Sequence, residues 1–240
     1  MTNRLAVRRG VRPRALSLAL LLGAGLALAQ YSPSATFDLG VGFGQTALSS
    51  SILQGTLELS GKSGKSTAPS AYTPDPRLAV RFSEGRLGLF RQRLADQAMK
   101  GKSAQEKQAF VAFLKDNDLA NGLWVFNAFD KRSPGLPELV ATYLGGMWKQ
   151  VSGSSPDPAK LDALREQLQR SMLQPAQFSK IKVMSAEQRL DWMFSLSYDH
   201  DALAQDGLFN DDPASRKKRA QLALASAKAN GFDLSKLDLK

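Results

Sequence analysis

The sequence predicts an all-α protein, with a single bundle of six or seven helices over residues 75 to 240. Three observations indicate this fold class. Helix-start signals recur along the region as Asp-Pro pairs and capping boxes. Apolar residues follow these signals at helical spacing, so that each helix has one apolar face. Neither a strand–helix alternation nor a repeat of fixed period is found.

The N-terminal helices of the bundle are defined by their caps. Asp75–Pro76 supplies an N-cap and a proline at the first helical position, and predicts a helix that runs to about Met99. Ser103 and Glu106 form a capping box, which predicts the start of a second helix. Asp118 is the predicted start of a third helix, which ends near residue 130.

The second half of the bundle contains the same kinds of helix-start signal. Four further helices are each opened by a proline, an Asp-Pro pair or a capping box, and two glycines stand where helices should end. The helix starts are Pro137, Asp157–Pro158, Ser185 with Gln188, and Asp212–Pro213, and the terminating glycines are Gly153 and Gly231.

Residues 1 to 29 have the composition of a signal peptide. Five arginines and no acid precede an apolar run of fifteen residues, Ala15 to Ala29, which ends in Ala-Leu-Ala. Small residues at these positions are typical of signal peptidase sites, and the run is shorter than the roughly 20 residues that a membrane-spanning helix needs. We therefore expect export by general secretion to the periplasm, the cell surface or the medium. No stable membrane span should remain after the leader is removed.

Residues 30 to 74 form a segment rich in Gly, Ser and Pro, which predicts a linker or tail. The alternation of apolar residues from Phe37 to Phe43 is a strand signal, so a β-hairpin is the alternative to a loosely ordered tail. Gly-Lys-Ser occurs twice, at residues 61–63 and 64–66, but Thr56 and Leu59 stand where a P-loop requires its first glycine. The sequence therefore predicts neither a nucleotide site nor any other cofactor.

Charge and cysteine content exclude further classes of partner and of chemical site. The chain has 32 basic and 22 acidic residues, and five of the basic ones belong to the leader, which leaves 27 against 22, or +5, after export. A nucleic-acid partner is not expected, because such proteins concentrate far more positive charge on one face. The absence of cysteine excludes disulfides, thiol nucleophiles and cysteine metal sites, and we predict no metal site.

Two residues are candidates for catalysis. His200 is the single histidine and lies between Asp199 and Asp201. Consecutive helical residues point about 100° apart, so these three side chains cannot form a triad by themselves. Among the five glutamates of the predicted bundle, Glu84 is the one without a structural explanation, whereas helix caps, helix dipoles or ion pairs explain Glu106, Glu138, Glu166 and Glu187.

Arg216, Lys217, Lys218 and Arg219 form the densest basic run and are the candidate anion-binding residues. On a helix they span more than one turn, so we expect them to spread around it as a solvated face. Binding of an anionic polymer or lipid through this face is the alternative, and it should be sensitive to salt. Trp148 and Trp192 are interpreted as core residues or as the walls of a ligand groove.

The chain resembles a family of exported bacterial proteins known only as a domain of unknown function. The resemblance covers residues 70 to 205 and rests on the leader and on the segments "AYTPDPRLAVRF", "DLANGLWVFNAF", "LPELVATYLGGMW" and "MSAEQRLDWMFSL". It implies an exported helical domain and assigns no catalytic residue or ligand. The leading hypothesis is a non-enzymatic protein that binds another protein or an envelope component. The alternatives are a cell-wall hydrolase using Glu84 or His200, and a weak anionic-polymer binder.

Overall fold

The computed structural model of the chain describes residues 72–121 and 134–240. Within these ranges the chain forms seven α-helices and no β-strand, which confirms the all-α fold class. The helices are α1 (Glu84–Ala98), α2 (Ala104–Asp116), α3 (Leu136–Ser152), α4 (Pro158–Met172), α5 (Pro175–Val183), α6 (Ala186–Phe209) and α7 (Pro213–Ala229). The predicted signal peptide, the alternation from Phe37 to Phe43 and most of the helix predicted after Asp118 lie outside the described residues.

Helix α3 is the central helix of the bundle. Eleven of its 17 residues are buried, and it packs against α4, α6 and α7. Helix α6 also contacts α1 and α7, α1 contacts α2, and α4 contacts α5. The core contains both tryptophans that could have lined a groove, with Trp148 8% and Trp192 1% exposed. Within the described ranges, no helix combines the length and the apolar character that crossing a bilayer requires.

The predicted caps are confirmed for most helices. Ser103 and Ser185 form the predicted capping boxes with Glu106 and Gln188 at the starts of α2 and α6. Asp157 and Asp212 cap α4 and α7 by accepting hydrogen bonds from backbone N–H groups of the first turn. Gly153 and Gly231 adopt φ angles of +70° and +83°, the left-handed conformation that glycine tolerates best at a helix end.

The predicted start of the first helix is wrong. Asp75 caps only a short 3₁₀ turn, Pro76–Leu78, and α1 begins at Glu84 with Ser83 as its N-cap. The chain between them is extended because the Val80 N–H donates to the Pro134 carbonyl at 2.8 Å, next to a bridge between Ala79 and Gly135. This long-range pairing competes with the local helix signal and prevails over it.

Two further helix predictions need correction. Asp118 has φ +53° and lies in a turn after α2, whereas an N-cap residue has extended backbone, so Asp118 does not start a helix. Helix α5 was not predicted, because among its nine residues only Ile181 is buried and no apolar stripe marks it. Pro175 at its first position was the available signal.

Candidate functional site

A cleft of about 780 Å³ lies between the C-terminal halves of α3 and α6 and the first half of α7. We call it the basic cleft, because four basic side chains and one acidic side chain line it. The basic residues are Lys149, Arg216, Lys217 and Arg219, and the acid is Asp211. His200 also lines this cleft. The histidine and three of the four residues of the basic run, all singled out from the sequence, thus meet in one place.

The floor of the basic cleft depends on a close approach between α3 and α6. A Cβ atom added to Gly146 would lie 2.2 Å from Cδ2 and 2.6 Å from Nε2 of His200, far inside any normal contact. Only glycine therefore allows the imidazole to pack against the backbone of α3 as it does here. The Cδ2–Nε2 edge of the ring is held against that backbone.

The other side of the His200 ring faces its neighbour in the chain. Nδ1 lies 3.1 Å from Oδ1 of Asp201, and both side chains are largely buried. A carboxylate oxygen can only accept a hydrogen bond, so Nδ1 carries the proton and Nε2 is the acceptor in the neutral ring. Since Nε2 lies against Gly146, the nitrogen that would act as a general base is restricted by the wall of the cleft.

Asp199, the other acid beside His200, points elsewhere. Its side chain is buried and accepts a hydrogen bond from the Ser226 hydroxyl at 2.5 Å, and Ser226 in turn lies 2.7 Å from the Tyr143 hydroxyl. Burial, followed by the charge of Asp199, raises the pKa of Tyr143, so this hydroxyl keeps its proton. The network joins α3, α6 and α7 inside the core, and Asp199 and His200 do not form a catalytic pair.

The basic run divides into residues with different roles. Arg219 is buried and holds α7 to the end of α6 through Asp206 at 3.1 Å, Asp211 at 3.4 Å and the Asn210 carbonyl. Arg216 and Lys217 line the cleft from the solvent side of α7. Lys218 is exposed and does not line the cleft.

Arg216 has a partner, whereas two lysines of the cleft do not. Its guanidinium lies 3.7 Å from Asp211, in a pair of which both members are well exposed. Lys149 on α3 and Lys217 on α7 form no ion pair with any described residue. Lys149 could not be recognised from the sequence, because it lies far from the basic run in the chain. The packing of α3 against α7 brings Lys149 to the same cleft as that run.

Glu84 does not belong to the cleft. It is exposed in the first turn of α1, where an acid interacts favourably with the helix dipole. Interaction with the helix dipole therefore explains the position of Glu84, as it does for the other glutamates in first helical turns. Nothing places a second reactive group beside it in the part of the chain that the structure describes.

Glu138 is the acid with the unusual environment. It is 0% exposed in the first turn of α3, near the Tyr72 hydroxyl and the Gly135 backbone. Burial raises the pKa of Glu138 and also that of Tyr72, which the carboxylate raises further. A raised carboxyl pKa is a property of general acids, but this group is fully buried, and the segment that contains Tyr72 lies beside it.

The Gln169 side chain of α4 forms three hydrogen bonds with that segment. The amide oxygen of Gln169 accepts from the Tyr72 hydroxyl at 3.1 Å and from the Asp75 N–H at 2.9 Å, and its amino group donates to the Thr73 carbonyl at 3.0 Å. Glu138 is thus a buried acid beside a hydrogen-bonded segment, and no reactive partner in the described ranges converts it into a catalytic site.

The described residues define an all-helical protein with one open basic cleft and a separate, closed polar core. Within these ranges, no cluster of histidine, aspartate and glutamate side chains could hold a metal ion. No protein family, curated protein or solved structure matches this chain. The resemblance to exported proteins of unknown function therefore stays a prediction, and the function has to be inferred from the cleft.

Proposed function

We propose that the chain is exported by general secretion and acts outside the cytoplasm as a non-enzymatic protein that binds an anionic component of the cell envelope. The basic cleft is the observation that carries this proposal. Lys149 on α3 and Lys217 on α7 lie far apart in the sequence but face one concave space. Neither has an acidic partner among the described residues. A carboxylate, phosphate or sulfate group bound in the cleft would gain charge-assisted contacts with these lysines.

A purely solvated basic face would be arranged differently. Charges on a solvated helix face project into water and need not share a cavity with charges from another helix. Here Arg216 and Lys217 on α7 line the same cleft as Lys149 on α3, while the neighbouring Lys218 stays outside. Since the cleft is open and its lysines are exposed, binding should weaken as salt screens the charges.

The test is binding of a fluorescently labelled polyphosphate, followed by anisotropy at two salt concentrations. The double variant Lys149→Gln with Lys217→Gln should bind about tenfold more weakly, as expected for the loss of two partly exposed ion pairs. The matched control is Lys182→Gln with Lys218→Gln, which removes the same charge from exposed positions outside the cleft. It should lose no more than about twofold. Equal losses in both variants would show that overall charge, and not the cleft, binds the anion.

A cell-wall hydrolase is the second candidate, and what favours it is that His200 lines the cleft and forms a hydrogen bond with Asp201. The packing of Nε2 against Gly146 counts against it. We expect the purified protein to leave peptidoglycan and simple ester and peptide substrates intact. Hydrolysis that His200→Gln or Glu84→Gln abolishes would replace the binding proposal with an enzymatic one.

A further inference from the structure

The volume of the basic cleft exceeds what an isolated anion needs. At about 780 Å³ it falls in the range of roughly 300–1,000 Å³ that is typical of sites for drug-sized ligands. The two lysines that form no ion pair with a described residue account for one charged group of such a ligand. The rest of the cleft offers both polar and apolar side chains to the remainder of the ligand.

The rim of the cleft is apolar on two sides. Leu208 on α6 is 79% exposed and Val151 on α3 is 39% exposed, and both line the cleft together with its basic residues. Only three other large hydrophobic side chains are comparably exposed among the described residues. Ala204 and Ala220 add small apolar surface between these positions. Covering such surface with an apolar group removes it from water, at about 25 cal/mol per Å².

We propose that the ligand of the basic cleft is a single-headed anionic amphiphile. Lys149 and Lys217 bind its phosphate or carboxylate head, and Val151 and Leu208 contact the first part of its apolar chain. This inference rests on the proposed function and makes it more specific, because it adds an apolar chain to the anionic group. The charge of the lysines and the apolar rim select such a molecule over a polyanion, which has no apolar part, and over a neutral detergent, which has no charge.

The experiment compares three soluble probes by isothermal titration calorimetry: inorganic phosphate, n-octyl phosphate below its micelle concentration, and octyl glucoside. Octyl phosphate should bind at least about tenfold more tightly than either of the others, because it alone offers both groups. Octyl phosphate that binds no better than inorganic phosphate would overturn the inference and leave anion binding by the cleft intact.

Variants separate the two parts of the site. Val151→Ser with Leu208→Ser should remove the gain from the octyl chain and leave the affinity for inorganic phosphate unchanged. Lys149→Gln with Lys217→Gln should weaken both phosphate probes. The control Leu89→Ser with Val183→Ser alters two exposed apolar residues outside the cleft and should change neither affinity. If the octyl gain survives in Val151→Ser with Leu208→Ser, the apolar contact lies elsewhere and the inference fails.

Two sources can supply such a ligand, and vesicles distinguish them. Co-sedimentation with phosphatidylglycerol vesicles that is lost in Val151→Ser with Leu208→Ser would identify a lipid in a membrane as the source. Binding of octyl phosphate without vesicle binding would identify a free amphiphile. If neither inorganic phosphate, polyphosphate nor octyl phosphate responds to Lys149→Gln with Lys217→Gln, the proposed function itself fails along with this inference.

Discussion

At the scale of single residues, Gly146 controls the geometry of the basic cleft. Gly146→Ala would place a methyl group 2.2 Å from the His200 ring, so either the ring or the α3–α6 packing has to move. We expect a loss of about 1–3 kcal/mol in the free energy of unfolding, as is usual for overpacking. Because His200 is the single histidine, its one imidazole signal in a proton NMR spectrum should shift as well.

Gly88 provides the matched control for this substitution. It lies in the interior of α1, is exposed, and no atom would come within 4 Å of an added Cβ. Gly88→Ala should therefore stabilise the protein by about 0.5–1 kcal/mol, because alanine favours the helix. Chemical denaturation of both variants measures the contrast. A Gly146→Ala variant as stable as the parent would contradict the close packing of α3 against His200.

Glu138 makes a pH-dependent contribution to stability. Burial raises the pKa of this carboxyl above its ordinary value of 4.5, so the folded protein retains the proton at pH values where the unfolded chain has lost it. The parent should therefore lose stability as the pH rises from the ordinary pKa through the raised one. Glu138→Gln removes the titrating group, and its stability relative to the parent should increase as the pH rises above the ordinary carboxyl pKa of 4.5.

Glu106 supplies a control in which the pH dependence of stability should have the opposite sign. Hydrogen bonds from the backbone and side chain of Ser103 lower its pKa, so its stabilising effect is present above the ordinary pKa and is lost as the pH falls. The relative stability of Glu106→Gln should accordingly decrease as the pH rises. Urea denaturation across the pH range compares the two, and a pH-independent difference for Glu138→Gln would show that this carboxyl is not shielded from solvent.

The sequence allowed part of this residue-level picture to be predicted. His200 and the run from Arg216 to Arg219 stand out by composition, and all of these residues except Lys218 line the cleft. Lys149 and Glu138 carry no such signal, because the neighbours that give them their roles lie far away in the chain. The sequence explains Glu138 by its position in a first helical turn, and this is correct. It does not predict the hydrogen-bonded segment around Tyr72 that lies beside the buried carboxyl.

At the scale of elements, a buried hydrogen-bond network joins three helices. Ser226 on α7 lies between Asp199 on α6 and Tyr143 on α3, and the Asn230 amide donates to the Tyr143 hydroxyl at 3.3 Å. Ser226→Ala would leave the buried Asp199 carboxylate without its closest donor. We expect a loss of about 1–3 kcal/mol in the free energy of unfolding.

The matched control is Ser155→Ala, which makes the same chemical change at an exposed position in the turn between α3 and α4. It should change the stability by less than about 0.5 kcal/mol. Thermal or chemical denaturation distinguishes the two variants. If both had the same small effect, the network would contribute nothing to the packing of α7 against α3 and α6.

Element boundaries were predictable where local chemistry sets them. The capping boxes at Ser103 and Ser185 satisfy backbone N–H groups within one turn, so the sequence window contains all the partners involved. The extended backbone between Asp75 and the start of α1 was not predictable in this way. There the bond from Val80 to Pro134 connects residues that are distant in the chain, and it keeps the backbone extended despite the signal at Asp75.

At the scale of the whole molecule, the structure separates two kinds of polar group. The polar core around Asp199 is closed and internally satisfied, whereas the basic cleft is open and holds lysines without acidic partners among the described residues. The cleft combines positive charge with an apolar rim, and His200 is the one imidazole among its lining residues. The binding proposal rests on this combination of charge and apolar surface.

The most direct test of this account is an NMR titration of the protein with n-octyl phosphate. We predict that the His200 imidazole signal and the amides of Lys149, Lys217 and Leu208 shift together and saturate with one dissociation constant. The amides of Lys182 and Lys218, outside the cleft, should not follow this curve. Shifts that are absent from the cleft, or that appear equally at exposed lysines across the surface, would contradict the claim that this bundle binds an anionic ligand between α3, α6 and α7.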